Sequence, residues 1–212
     1  MTTQTNIKVY GGTQNRGFRI YWLLEELGLS YEGYDVKLFE GQQLQPTFLK
    51  LNPHAKVPVI VDGDFVLSES GAILNYIASQ YGKDFLPAQG TKARAEYDQW
   101  FCFCLTELEP PIWTASKHSY IYKADRRVSA IVDSSKFEFK RACQKIALQL
   151  GDQEYVLGAF SNIDILVGQM LIWATALLGF EVSDAKLIDY LARIQARDGF
   201  KLASKKELKH FE

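Results

Sequence analysis

The sequence predicts a small α/β domain followed by an all-helical domain. Two observations carry that expectation. Residues 1–82 pass repeatedly between alternating and helical apolar spacing, in the order β-α-β-α-β-β-α. From Lys92 onward only helical spacing is found, and segment 83–91, containing "DFLPAQGT", carries the Pro and Gly of a linker. The expected domains are 1–82 and 92–212, joined by 83–91, and no internal repeat or low-complexity segment interrupts them.

Each element has a local reason. "IKVYG" is a short strand. In "FRIYWLLEELG", Ile20, Leu23, Leu24 and Leu27 fall at helical spacing, and Gly28 suits the C-terminal stop. "YDVKLF" alternates Tyr34, Val36 and Leu38 with Asp35 and Lys37, as a half-buried strand does. "LQPTFLKLN" has room for one or two helical turns. "PVIVDGDFVL" reads as two strands around an Asp62-Gly63 hairpin turn, and "SESGAILNYIASQYG" as a helix. In the second half, helices are expected over 92–117, 125–150, 162–179 and 184–195, with one more short piece. Ser161 and Asp164 in "FSNIDILVGQMLIW" approximate a capping box, with Phe160 placed to staple onto Leu166 or a near neighbour.

Composition narrows the function classes. Apolar residues are 47% and charged residues 23%, as in ordinary globular proteins. With 24 Lys+Arg against 25 Asp+Glu there is no electrostatic case for nucleic acid or an anionic membrane. The basic tail "KLASKKELKH" reads as a solvated helix end. "ILVGQMLIWATALLGF" is short and holds Gln169, so it reads as a core helix, not a membrane span. The N-terminus lacks a signal-peptide pattern, and a cytoplasmic protein is expected. Cys102, Cys104 and Cys143 form no C-x-x-C, and His54, His118 and His210 are scattered. Reduced cysteines and no metal site are expected.

The chemistry concentrates in "AKVPVIVDGDFVLSESGAIL". Pro58 cannot donate to a sheet ladder, but a proline that begins a strand avoids that penalty. If the Val57–Pro58 bond is cis, the turn leaves the Val57 N–H and C=O facing outward, a template for an extended peptide. A trans proline on an edge strand is the other reading. Glu69 and Ser70 open a helix whose free N–H groups and dipole attract an anion. Ser70 suits a carboxylate and Glu69 an ammonium, together the head of an α-amino acid. A simple helix cap with a favourable first-turn acid is the alternative.

"KVYGGTQNRGFRIYWLLEELGLSYE", "NPHAKVPVIVDGDFVLSES" and the helical second half together resemble a cytosolic glutathione transferase over nearly the whole chain. The resemblance implies a thioredoxin-like, glutathione-binding domain at 1–82 ahead of the all-α domain. It implies a cis peptide at Pro58, pairing of Val57 with the cysteinyl part of glutathione, and the γ-glutamyl head at Glu69 and Ser70. Lys56 and Gln43 fall where family members contact the glycine carboxylate. It implies a homodimer that uses glutathione as co-substrate, and no metal.

A thiol with pKa ~8.5 needs ~2.7 kcal/mol of preferential thiolate stabilisation to drop about 2 units. The family supplies it from Tyr, Ser or Cys near the first helix. Here the loop "YGGTQNRG" has no Ser and no Cys. The candidates in order are Asn15, whose amide N–H donates to a thiolate, then Thr13, then Tyr10, with Arg16 nearby as a source of positive potential. The first domain contains no Cys, which argues against a mixed protein–glutathione disulfide. The expected activity is attack of the glutathione thiolate on an apolar electrophile. A non-catalytic binding protein, or a glutathione-dependent isomerase, lyase or peroxidase, are the alternatives. The family's electrophile site suggests Trp113, Tyr120, Tyr122 and Phe211.

Overall fold

The computed structural model describes residues 3–82 and 85–211, and they form two compact units. The first comprises Met1–Leu86 together with Ala196–Glu212; the second is Pro87–Gln195.

The first unit is built on β1 (Thr3–Tyr10), α1 (Gly17–Glu26), β2 (Leu29–Asp35), α2 (Pro46–Leu49), β3 (Val59–Asp62), β4 (Phe65–Ser68) and α3 (Ser70–Tyr81), the expected order. Strand β1 pairs in parallel with β2 and antiparallel with β3, which turns back into β4 through Gly63 and Asp64, one residue later than expected. Gly63 has φ 64, the left-handed conformation that glycine adopts at little cost. Ile7 and Val9 alternate with Lys8 and Tyr10 along β1, which places Tyr10 on the opposite face from Val9.

The C-terminal boundary differs from the expectation. Residues 196–212 belong to the sheet unit and not to the helical one. Helix α9 (Asp198–Ser204) packs on α1, with Phe200 edge-on to Trp22 at 5.0 Å and to Phe18 at 5.3 Å. Arg197 clamps both Glu26 oxygens at 2.8 Å. The tail then adds β5 (Lys209–His210) parallel to β2, giving the strand order β4-β3-β1-β2-β5. The tail is a largely exposed helix end as far as Ser204, as expected, and from Lys205 onward it leaves the helix and gains partners on the sheet unit. Lys206 sits 4.1 Å from the Tyr31 ring centroid and 3.6 Å from Glu25, and Lys209 lies 3.2 Å from Glu32. Leu208 approaches Gly33 so closely that a Cβ there would meet it at 2.6 Å. Phe211 is 9% exposed in a cluster with Val36, Phe48, Val59 and Tyr10. Phe211→Ala is therefore expected to cost about 3 kcal/mol of stability, the lower end for a buried aromatic. A melting temperature unchanged by that substitution would contradict the packing.

In the second unit the expected 92–117 helix is a longer composite. It runs through α4 (Lys92–Phe103), a π-turn (Cys104–Leu108), α5 (Glu109–Ser116) and a second π-turn (Lys117–Ile121). Pro110 and Pro111 supply no N–H to the ladder, and the first π-turn directly precedes them. Then follow α6 (Ser129–Leu150), α7 (Asn162–Leu178) and α8 (Ala185–Gln195). Helix α7 is buried along most of its first three turns and opens with the expected capping box. Asp164 accepts from the Ser161 N–H at 2.9 Å, the Val156 N–H at 3.0 Å and the Tyr190 hydroxyl at 2.9 Å. Burial pushes its carboxyl up to about 6 against the pull of those donors. Phe160 rests edge-on against Tyr155 at 5.4 Å. Among the described residues no helix is long and apolar enough to cross a membrane.

Candidate active site

The register brings three separate segments to one end of the sheet. Tyr10 pairs with Val59, and Val59 pairs with Ser68. The next residue in each direction is therefore Gly11, Pro58 or Glu69. A Cβ on Gly11 would lie 3.5 Å from Pro58 Cα, which confirms how closely the loop after β1 approaches the proline.

The Val57–Pro58 peptide bond is cis. Val57 is half-buried, and among the described residues its backbone N–H and C=O have no hydrogen-bond partner. The preceding loop is shaped by Asn52, which is 3% exposed. Its Nδ2 donates to the Lys56 carbonyl at 2.8 Å, and its Oδ1 accepts from the His54 N–H at 3.1 Å. Ala55 in that loop takes φ 54.

Glu69 caps α3, its carbonyl accepting from the Ile73 N–H at 2.9 Å, and its side chain is exposed. Its φ is 69, a left-handed value that costs a non-glycine residue roughly 1–3 kcal/mol and that clusters at functional sites. Ser70 is the first residue of α3 and is 6% exposed. Its Oγ accepts from Arg19 Nη1 at 3.1 Å, and Arg19 is fully buried on α1.

In the loop 11–16, Asn15 Oδ1 accepts from the Gly17 N–H at 2.8 Å. A backbone N–H can only donate, so this bond fixes the amide orientation and turns Nδ2 toward Gly12. A Cβ on Gly12 would meet Asn15 Nδ2 at 3.0 Å and Asp35 Oδ1 at 2.9 Å, so glycine is what lets the loop pass. The Thr13 side chain is half-buried, and its hydroxyl has no partner among the described residues. Tyr10 is directed elsewhere. It stacks on Tyr34 at 5.0 Å and meets Phe211 edge-on at 5.8 Å. Burial, then the nearby Glu32 carboxylate, raise its phenol above the usual tyrosine range.

Lys56 is exposed beside Val57. Gln43 lies in the short 3-10 turn Gln42–Leu44, its Oε1 enclosed and without a hydrogen-bond partner among the described residues.

The expected electrophile residues gather in part within the helical unit. Trp113 lies 6.1 Å from Trp173, whose Nε1–H donates to the Tyr120 hydroxyl at 3.2 Å. Tyr122 stands apart with His118, ring centroids 5.2 Å apart. Trp173 reads from sequence as core and is 9% exposed, yet it joins Trp113 to Tyr120. Phe211 is no part of this group, because it is packed in the sheet unit. Among the described residues no cluster of three or more His, Cys, Asp or Glu could hold a metal ion.

Comparison with known proteins follows this geometry. Residues 5–79 match the family model "Glutathione S-transferase, N-terminal domain". Glutathione S-transferase F10 of Arabidopsis thaliana is 32% identical over 148 residues, 66% of this chain and 67% of that protein. The chain belongs to the glutathione S-transferase family. The transferase fold extends across both units. A glutathione transferase from Pseudomonas fluorescens with two glutathione molecules bound superposes with TM-score 0.81 at 27% identity, over 94% of this chain and 92% of that one. One from Burkholderia graminis, with two glutathione molecules per subunit, gives 0.82 at 26% identity, over 95% and 88%. The first unit is thus the thioredoxin-like half of a transferase, and the chain is a glutathione transferase by family.

Two residues of this transferase site escape a reading by pattern. Arg19 is a charge inside the buried run Phe18–Leu24, and that misfit is the signal that points to it. Asn52 gives no such signal, because Asn before Pro is ordinary turn composition.

Proposed function

We propose that this transferase binds glutathione across the three converging segments and activates its thiol with Asn15. The observation that carries this is the register, which sets the free Val57 backbone, Glu69–Ser70 and Asn15 around one end of the sheet. The cysteinyl backbone of glutathione pairs with the N–H and C=O of Val57. Its γ-glutamyl carboxylate lies at Ser70 and the N-terminus of α3, with the ammonium at Glu69. Lys56 and Gln43 take the glycine carboxylate, one as a point charge and one as a hydrogen-bonding amide. The sulfur then lies toward Asn15 Nδ2, with the Thr13 hydroxyl as a second donor. Donated hydrogen bonds favour the charged form, so the proton leaves for solvent and the thiolate remains. Sulfur forms a bond to the electrophilic carbon as its leaving group departs with the bonding pair. The electrophile is an apolar molecule, and the working form is a cytoplasmic homodimer.

Thiolate absorbance of bound glutathione, followed against pH, tests the assignment. The bound thiol is expected to titrate about 2 units below the free value of ~8.5. Asn15→Ala is expected to recover at least half of that shift, while Tyr10→Phe leaves it in place. A bound thiol that titrates like the free one overturns the enzymatic reading.

A second reading has its own support in the two relatives with two bound glutathione molecules. A first thiolate attacks a substrate disulfide and expels one thiolate. A second glutathione then attacks the mixed disulfide, releasing the other thiol and glutathione disulfide. No protein cysteine is needed. Stoichiometric glutathione disulfide, formed with a model disulfide as substrate, would favour it over conjugation.

A further inference from the structure

Resting on the glutathione and Asn15 reading, we propose that Tyr21 is a positioning residue that holds the Gly11–Gly12 peptide and so keeps the Asn15 amide aimed at the glutathione sulfur. Tyr21 lies on α1 and is fully buried. Its hydroxyl donates to the Gly11 carbonyl at 2.6 Å, with the Val9 carbonyl farther off at 3.4 Å. The phenol reaches that carbonyl past Gly33 of β2, where a Cβ would meet its Cε1 at 2.9 Å and its hydroxyl at 3.3 Å. Burial, then the Asp35 carboxylate, raise the phenol well above the usual tyrosine range against the pull of the Tyr34 backbone, so it stays a donor at working pH.

The peptide it holds is the least constrained in the loop. Neither Gly11 nor Gly12 has a Cβ to restrict it, and Gly11 takes φ 154. The Gly11 N–H donates to the Tyr34 carbonyl at 2.9 Å, which leaves the Gly11 carbonyl to Tyr21. The Asn15 amide is wedged against the same glycines. A Cβ on Gly12 would come 3.0 Å from its Nδ2, and one on Gly11 3.5 Å from its Oδ1. Gly17, whose N–H holds that Oδ1, is itself crowded by the peptide. A Cβ there would meet the Gly12 carbonyl oxygen at 2.8 Å and the Gly11 carbonyl carbon at 3.2 Å. Both ends of the amide thus lean on one peptide, and Tyr21 fixes its orientation. Gly11 is buried, so its carbonyl finds no water when the phenol is lost. Rotation of the peptide relieves that loss and disturbs the seat of Asn15.

Tyr21 touches no ligand in this arrangement, so its signature is the acidity of the bound thiol and not affinity. Tyr21→Phe removes only the hydroxyl. By thiolate absorbance, glutathione bound to this variant is expected to titrate about 1 unit above its value on wild-type protein. S-methylglutathione has no thiol proton to lose, and calorimetry is expected to find it bound by both proteins within about 3-fold. In an Asn15→Ala background the same Tyr21→Phe change is expected to move the thiol by less than about 0.3 units, because the group it positions is gone. An unmoved thiol in Tyr21→Phe overturns the proposal, whether or not S-methylglutathione binds more weakly, since lost binding alone means a merely structural residue. An equal shift in both backgrounds also overturns it, because Tyr21 then acts by another route. If Tyr21→Phe does not fold, Tyr21→Met decides in the same titration, as a thioether fills the space without a hydroxyl. A wild-type bound thiol that titrates like the free one removes the enzymatic reading. An unmoved thiol in Asn15→Ala removes the Asn15 reading and this proposal with it, whereas a thiol that moves in Asn15→Ala alone removes only the role of Tyr21.

Discussion

Replacing Asp164 with alanine is expected to remove about 3–5 kcal/mol of folding free energy, a large share of the ~5–15 kcal/mol typical of a folded protein. Asp164 is fully buried and, besides accepting from the Ser161 hydroxyl at 3.3 Å, serves three groups that cannot reach water. They are the N–H groups of Val156 and Ser161 and the hydroxyl of Tyr190, itself fully buried on α8. Each buried donor left without an acceptor costs about 1–3 kcal/mol, and loss of the box at the start of α7 adds about 1. The damage is concentrated where segment 156–161, α7 and α8 meet. Asp164→Asn keeps the shape and one acceptor oxygen, so its effect should be intermediate. Chemical denaturation of the three proteins tests this ordering. A loss below about 1 kcal/mol for the alanine variant would mean that water or a rearranged backbone replaces the carboxylate.

Ser70→Ala is expected to weaken glutathione binding about 10- to 100-fold, the equivalent of one charge-assisted hydrogen bond of ~1.5–3 kcal/mol. The substitution removes the acceptor for Arg19 and, in the proposed arrangement, the donor to the γ-glutamyl carboxylate as well. A modest fall in melting temperature should accompany the lost affinity. Calorimetric titration separates the two, because saturating glutathione restores stability only where binding persists. Undiminished affinity in a folded Ser70→Ala protein would move the γ-glutamyl head elsewhere.

Much of this fold was legible because its signals are local. The two strands of the Gly63 hairpin, the helix after Glu69 and the Ser161–Asp164 box each rest on residues within about ten positions of one another. The proline reading was open between cis and trans; the structure takes cis. What escaped was long-range. A two-residue strand such as β5 has no periodicity to detect, and "KLASKKELKH" reads as solvated until Glu25, Glu32 and the Tyr31 ring are known to face it. Arg19 carries only the signal of a charge inside an apolar run, and only the fold brings it to a residue 51 positions away. Tyr10 was ambiguous for the same reason, since its packing partners Phe48 and Phe211 are distant in the chain. The candidate site was half legible. The residues proposed to hold the ligand sit mostly in one short stretch, whereas the choice among Asn15, Thr13 and Tyr10 depends on where each side chain is sent.

The return of residues 196–211 to the sheet unit also sets an order of events during synthesis. The helical unit, Pro87–Gln195, is continuous in the chain and has all its parts once Gln195 has left the ribosome. The sheet unit starts first but lacks α9, β5 and Phe211 until about 16 further residues emerge, so its β2 edge and the aromatic face around Tyr10 stay uncovered meanwhile. The glutathione-holding half is thus the first to begin and the last to be finished. A bulky fusion placed directly after Phe211 would press on that closing step, and one placed at the N-terminus would not.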